Sequence, residues 1–179
     1  MTTFQLDECL DDTRLAQACN AAAKCTVNRY PPDLKGTPDH EMLPVVFSRN
    51  TTLLTIDRTI VHDNGSSIVS PNPGIIIQKK KPHPPMTATR AREIIERFKQ
   101  NIPSWAAIDW SMVYAEIDED EVYVCPLIDS DISKGKPFAI SGEAVDAEVT
   151  GYIGAIHDSL KGISISASVS PRISNSDAR

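Results

Sequence analysis

TTLLTID, at residues 51–57, is the stretch of sequence that decides the fold. Its first six residues are β-branched or apolar, and polar residues bound them on either side, Asn50 before and Asp57 after. Such a run predicts a strand that is buried on both faces. Strands of this kind belong to parallel sheets that are covered by helices, so the stretch indicates an α/β protein.

Similar segments extend outward from this strand in both directions. Patterns typical of helices separate several of them, which predicts a three-layer α/β/α domain with a mainly parallel sheet and a hairpin at one edge. The predicted strands are residues 3–6, 25–28, 51–56, 74–78, 111–117 and 121–125. The predicted helices are a first one capped by Asp12 or Thr13 that ends at Ala23, a second over residues 38–50 with Thr37 as its N-cap, and a third over residues 87–100. Pro44 is expected to kink the second helix or to stop it early.

The character of the chain changes after Pro126. We expect one domain over residues 1–126 and a C-terminal extension over residues 127–179. In the extension we expect a helix over residues 142–160, broken near Gly151 and Gly154, and a serine-rich tail that is frayed from residue 162.

Composition narrows the range of functions. The 179 residues carry a net charge of −6, which argues against a protein that coats nucleic acid, because neutralising phosphates takes clustered Lys and Arg. A nuclease remains compatible with this charge, since cations bound by carboxylates reverse the local sign. No apolar run approaches the ~20 residues of a membrane helix. The N-terminus is acidic, unlike a signal peptide, and the four cysteines suit reduced packing residues, so we expect a cytoplasmic protein.

Three acids carry the predicted chemistry. Asp7 follows the first predicted strand, Asp57 follows the strand at residues 51–56, and Asp39 lies in the first turn of the helix that leads into that strand. The carboxyl edge of an open sheet is where ligands bind, so the three can converge there. Clustered carboxylates suit Mg²⁺ or Mn²⁺, with Glu8 as a further ligand. The alternative of equal weight is that these acids are ordinary turn, cap or solvent-facing residues.

Four segments together resemble the compact PIN-like domains of bacterial toxin and toxin-like proteins. They are QLDECL (residues 5–10), KGTPDHEML (35–43), LLTIDRTI (53–60) and PNPGIII (71–77). The resemblance covers roughly the first 126 residues and leaves the extension unexplained.

The resemblance implies a metal-dependent ribonuclease. Asp7, Asp39 and Asp57 fall on the acidic positions that bind Mg²⁺ or Mn²⁺ in PIN nucleases. An RNA substrate, a small antitoxin protein and a homodimer are implied in the same way. The chain departs from the family in having Thr59 where related sequences often have a second acid, and in lacking an acid on an intervening helix.

Three residues are candidates for contacting substrate or phosphate. Thr55 and Arg58 flank Asp57, and by resemblance they position that acid or a phosphate. Lys79 opens a run of three lysines, which either contacts RNA phosphates or is a solvated basic turn.

Two other classes of function stay open. A catalytically silent PIN-like module would bind protein or RNA without cleaving it. A phosphoacceptor receiver-like domain would use Asp7 and Glu8, Asp57 and Lys79, but it has no use for Asp39.

Overall fold

The structure is a computed structural model. It describes residues 2–11, 13, 16–17, 25–78, 105–117, 121–128, 132, 134–139 and 147–167, with side chains omitted for residues 162–167. The predicted helix at residues 87–100, nearly all of the one at 12–23, Cys19 and Lys79 lie outside these residues. So do residues 168–179 of the predicted tail.

One seven-stranded sheet organises the described residues, in the order β2-β1-β3-β4-β5-β6-β7. The strands are β1 (Thr3–Leu6), β2 (Thr26–Asn28), β3 (Thr52–Thr55), β4 (Ile75–Gln78), β5 (Val113–Ile117), β6 (Glu121–Pro126) and β7 (Lys136–Ala139). The first five run parallel, and β6 and β7 are antiparallel additions. The six predicted strands and the edge hairpin are confirmed.

Helices cover both faces of this sheet, which confirms the three-layer α/β architecture. On one face, α1 (Asp39–Ser48) and the short α2 (Ile60–Asp63) pack against side chains such as Leu53 and Ile77. On the other, α3 (Ala147–Ala167) packs against side chains that include Leu54 and Ile76. All four residues of β3 are buried, as expected for a strand covered on both sides.

Helix α1 runs through Pro44 to Ser48, so the expected early stop is wrong. Proline removes one hydrogen bond from the helix. Burial of Met42, Leu43 and Val46 against the sheet outweighs this cost, because each buried side chain of this size contributes about 1.5–3 kcal/mol.

The C-terminal segment differs most from expectation. Helix α3 is continuous through Gly151 and Gly154, so the predicted break is wrong. The helix extends to Ala167, so residues 162–167 of the tail predicted to be frayed are helical instead. Strand β7 was not predicted. It pairs with β6, so the division predicted at residue 126 falls inside the sheet.

The strand order sets the position of a ligand site. The chain leaves β1 for β2 on one side and then crosses to β3 on the other, which makes the gap between β1 and β3 a topological switch point. In open α/β sheets, ligands bind in the crevice outside the carboxyl ends of the strands at such a point. Asp7 and Asp57 follow these two strands directly or within two residues.

None of the helices in the described ranges is long and apolar enough to cross a membrane.

Candidate functional site

Asp7 lies at the carboxyl end of β1 and is held by its neighbours. Its residue is only 8% exposed, and its backbone N–H donates to the Leu54 carbonyl at 3.0 Å, which extends the β1–β3 pairing by one step. The backbone N–H of Glu8 donates to Asp7 Oδ1 at 2.7 Å. The end of the strand therefore fixes both the backbone and the carboxylate of this acid.

Thr55 connects Asp7 to Asp57. Its fully buried hydroxyl donates to Asp7 Oδ2 at 2.6 Å and accepts from the Asp57 backbone N–H at 3.0 Å. One oxygen atom thus uses its donor and an acceptor position to join the ends of two neighbouring strands. Parallel pairing of β1 and β3 brings Asp7 and Asp57 to the same carboxyl edge, and this bridge joins the Asp7 carboxylate to the backbone N–H of Asp57.

The Asp57 side chain turns towards the loop that follows it. Its Oδ1 accepts from the backbone N–H of Thr59 at 2.8 Å and from the Thr59 hydroxyl at 3.1 Å. The half-buried Asp57 carboxylate is therefore held by Thr59 through its Oδ1 atom only. Thr59 thus orients the Asp57 carboxylate through its backbone N–H and its hydroxyl.

Asp39 belongs electrostatically to the same group. It lies in the first turn of α1, as predicted, and is half-buried. Burial raises the pKa of the Asp39 carboxyl, and the negative charges of Asp7 and then Asp57 raise it further. The charges of Asp7 and Asp57 therefore act on Asp39.

Glu8 is exposed and points towards a different loop. Its Oε2 accepts from the backbone N–H of Gly36 at 3.1 Å, so one oxygen of this predicted extra ligand is already engaged. Glu8 also lines a groove of about 620 Å³ beside the site. In that groove Arg29 donates two hydrogen bonds to Asp11, at 2.9 and 2.8 Å, which lower the pKa of the Asp11 carboxyl.

Of the three residues predicted to contact substrate, the structure describes two, Thr55 and Arg58, and only Arg58 is exposed. Thr55 is fully buried and serves the two acids, so a phosphate cannot reach it directly. Arg58 is exposed immediately after Asp57. Lys79 is not among the described residues.

Cys9 is the site residue that the sequence reasoning missed. Its thiol donates to Asp7 Oδ2 at 3.0 Å. The residue as a whole is exposed, but its sulfur lies against the site. Burial of the thiol, the charge of Asp7 and this bond raise the pKa of Cys9 to about 12. Cys9 is exposed, so the expected packing role is wrong for it, whereas Cys25 and Cys125 are buried as expected. The available signal was position, because a residue two places after a strand-end acid can turn back onto it.

The ligand atoms at this edge suit a divalent cation by their chemistry but not by their number. Carboxylate oxygens on a sheet edge are suitable ligands for Mg²⁺ or Mn²⁺. Within the part of the chain that the structure describes, however, no three His, Cys, Asp or Glu side chains are placed to hold one ion together. An ion at this edge would therefore take most of its ligands from outside these side chains, because a cage of three is not present among the described residues.

A second cleft of about 560 Å³ lies at the opposite edge of the sheet, where β1 and β3 begin. Its lining includes Thr2, Arg49, Asn50 and Asp109. None of the predicted site residues lines it, and it lies away from the switch point.

Comparison with protein-family models, with curated proteins and with solved structures finds no match for this chain. The resemblance to PIN-like domains therefore stays a prediction from the sequence.

Proposed function

We propose that the protein is a divalent-cation-dependent endoribonuclease that hydrolyses phosphodiester bonds at the carboxyl edge of its sheet. The observation that carries the proposal is the bridge through Thr55, which joins Asp7 and Asp57 at the β1–β3 switch point. The long-range half of this bridge, from the buried Thr55 hydroxyl to the Asp7 carboxylate, supports the proposal because it fixes an acid at the edge where open α/β sheets bind ligands.

The mechanism follows from the surroundings of each acid. Asp7 and Asp57 would hold Mg²⁺ or Mn²⁺, with Glu8 at the rim. When bound, such an ion neutralises charge on the phosphate and lowers the pKa of water. Asp39 would take the proton of the attacking water, because burial raises the pKa of its carboxyl and makes the carboxylate a better proton acceptor. As the water oxygen bonds to phosphorus, the bond from phosphorus to one ribose oxygen would break, and that oxygen would take a proton from solvent. Arg58 faces solvent beside Asp57 and binds a non-bridging phosphate oxygen.

The biological setting follows from the same resemblance. We propose a cytoplasmic toxin that a small antitoxin protein holds inactive, acting as a homodimer on RNA. Lys79 would add a contact to the RNA backbone.

Cleavage of a mixed RNA pool tests this function. Wild-type protein should cleave with Mg²⁺ or Mn²⁺ and stop in EDTA. Asp7→Asn and Asp57→Asn should each lose activity by a factor of 100 or more, about 2.7 kcal/mol of transition-state stabilisation. Asp33→Asn, an exposed acid outside the site, is the matched control and should cleave normally. A folded wild type that cleaves no RNA with either ion would instead favour the silent PIN-like module.

The strand order supports a second candidate, a phosphoacceptor domain. The order β2-β1-β3-β4-β5 is shared with receiver domains, and Asp57 follows β3 with one oxygen free of the Thr59 contacts. A small phosphodonor such as acetyl phosphate should then label wild type and not Asp57→Asn. Labelling without RNA cleavage would replace the nuclease by this function.

A further inference from the structure

We propose that the groove beside Glu8 binds the RNA strand on one side of the scissile phosphate, and that Lys35 contacts the neighbouring phosphate there. The inference rests on the proposed function. It adds to that function a second contact point, the path of the substrate across the sheet and a requirement for a single strand.

The groove of about 620 Å³ lies between the end of β1 and the loop that follows β2. Its lining residues are Glu8, Asp11, Arg29, Tyr30, Pro32 and Lys35. Glu8 follows Asp7 directly, and its Oε2 accepts from the backbone N–H of Gly36 at 3.1 Å, which fastens the loop to the end of β1. The groove therefore starts beside the acids at the carboxyl edge.

The charges of the acidic site reach into the groove. Tyr30 is a buried residue of the groove wall. Burial raises the pKa of the Tyr30 hydroxyl, and the negative charges of Glu8, Asp7 and Asp39 raise it further. The groove and the acids are therefore neighbours on one edge of the sheet, and a single RNA strand can contact both.

Most charges within the groove already have partners. Arg29 donates to both oxygens of Asp11, at 2.9 and 2.8 Å, and the Tyr30 N–H donates to Asp11 Oδ1 at 3.2 Å. Glu8 lies at the end next to the acids, where the proposed cation would neutralise it. By contrast, no residue in the described ranges forms a hydrogen bond or an ion pair with the exposed ammonium group of Lys35. The charge left for a ligand is therefore positive, which suits a phosphate.

A second cation lies on the opposite side of the acids. Burial raises the pKa of Tyr114 on β5, and the positive charge of Arg58 opposes this effect, so Arg58 lies on the side of the site towards β5. Lys35 follows β2, and the strand order β2-β1-β3-β4-β5 therefore puts the acids between the two cations. An RNA strand that contacts both would cross the carboxyl ends of the strands, with its scissile phosphate at Asp7 and Asp57.

The size of the groove favours a single strand. Pockets of about 300–1,000 Å³ enclose a ligand of drug size, which is also the size of a nucleotide. A paired nucleotide brings its partner strand with it and needs a wider surface. An unpaired strand can instead turn one nucleotide into the groove while the next phosphate lies at the acids.

The experiment removes one charge from each partner. The cleaved bond is first mapped on a single-stranded RNA. Three versions of a short RNA around this bond are then compared, one with all phosphates and two with an uncharged methylphosphonate at the phosphate just before or just after the scissile one. Wild type, Lys35→Gln and the matched control Lys161→Gln, an exposed lysine of α3, cleave each of them.

We expect Lys35→Gln to raise KM about tenfold on the all-phosphate RNA with little change in kcat, because the contact is made both before and in the transition state. One of the two methylphosphonate RNAs should show the same loss with wild type and no further loss with Lys35→Gln, since both changes remove one contact. Lys161→Gln should match wild type throughout. The RNA annealed to its complement should be cleaved poorly.

Three results would overturn the inference while the nuclease stands. They are an unchanged KM in Lys35→Gln, an equal loss in this variant on all three RNAs, and equal cleavage of single-stranded and duplex RNA. The first would leave the groove to another ligand, and the second would mean that Lys35 acts without contacting the neighbouring phosphate. Absence of cleavage of every RNA by folded wild-type protein would overturn the inference and the nuclease together.

Discussion

At the scale of single residues, Thr55 has the most demanding position in the site. Its hydroxyl is fully buried and serves two partners that are far apart in sequence from each other, Asp7 and Asp57. A buried hydrogen bond adds only modestly to the free energy of unfolding. Loss of the donor costs more, because a buried charged acceptor is then left desolvated without a partner. Stability and site geometry therefore depend on the same oxygen atom.

Replacing this hydroxyl should separate its role from that of the side-chain volume. Thr55→Val keeps the shape but leaves Asp7 Oδ2 without its shortest hydrogen bond and the Asp57 N–H without an acceptor. We expect it to lower the free energy of unfolding by about 1–3 kcal/mol, measured by urea denaturation in EDTA. Thr55→Ser keeps the hydroxyl and loses one methyl group, so its cost should stay near 0.8 kcal/mol. Equal destabilisation by both variants would mean that packing, rather than the bridge, is what matters.

Asp39 should make stability depend on pH. Its pKa is raised in the folded protein by burial and by the charges of Asp7 and Asp57. The folded state therefore binds the proton more tightly than the unfolded chain, so the charged carboxylate destabilises the protein at neutral pH. This cost disappears as the pH falls through the folded pKa towards the unfolded value near 3.9.

Asp39→Asn should accordingly be more stable than wild type at pH 7 in EDTA, and the difference should vanish below about pH 3.9. Denaturant midpoints of the two proteins across this range measure it. Added salt should shrink the gain at pH 7, because part of the effect is repulsion between exposed or half-buried charges. A stability difference that does not change with pH would contradict the assigned cause.

At the scale of elements, α3 contains three glycines, which weaken a helix: Gly151, Gly154 and Gly162. Gly151 and Gly154 each cost about 0.8–1.0 kcal/mol relative to alanine in a helix interior. The helix nevertheless continues, because Val149, Ile153 and Ile156 are buried on one face against the sheet. Tertiary packing decides the outcome here, as it does for Pro44 in α1.

Two of the three helix glycines, Gly151 and Gly154, offer a stabilising substitution. A Cβ added at Gly151 or Gly154 would meet no other atom within 4 Å. Gly151→Ala should therefore raise the free energy of unfolding by about 0.5–1 kcal/mol. Gly74→Ala is the contrasting variant, since Gly74 has a φ of +85° and its added Cβ would overlap the Trp110 carbonyl oxygen. Thermal unfolding should show opposite shifts for the two, and destabilisation by Gly151→Ala would contradict the free space around it.

The sequence predicts the structure correctly where a residue pattern is compatible with only one structural environment. The apolar runs of β3 and β4 specify strands buried on both faces, and acids at strand ends specify the edge on which they lie. The sequence does not predict strand β7, because Phe138 is the only buried residue of this strand and because Pro137 argues against a strand. The bridge through Thr55 was not predictable, since it joins residues 48 positions apart and depends on how β1 and β3 are placed in register.

At the scale of the whole molecule, the two edges of the sheet offer clefts of similar size. The cleft at the amino ends of the strands measures about 560 Å³ and contains Arg49, whereas the groove of about 620 Å³ lies beside the acids at the carboxyl ends. Volume does not distinguish them. Topology does, because the switch point places ligand contacts at the carboxyl edge only.

Two matched arginine variants test which edge binds substrate. Arg58 and Arg49 are both exposed, and each substitution by glutamine removes one positive charge from a protein of net charge −6. Arg58→Gln should lower kcat/KM for RNA cleavage about tenfold, the effect of losing one phosphate contact worth about 1.4 kcal/mol. Arg49→Gln should stay within about twofold. Equal losses would indicate a general effect of charge on association, and a larger loss for Arg49→Gln would move the substrate to the amino edge, away from all three acids.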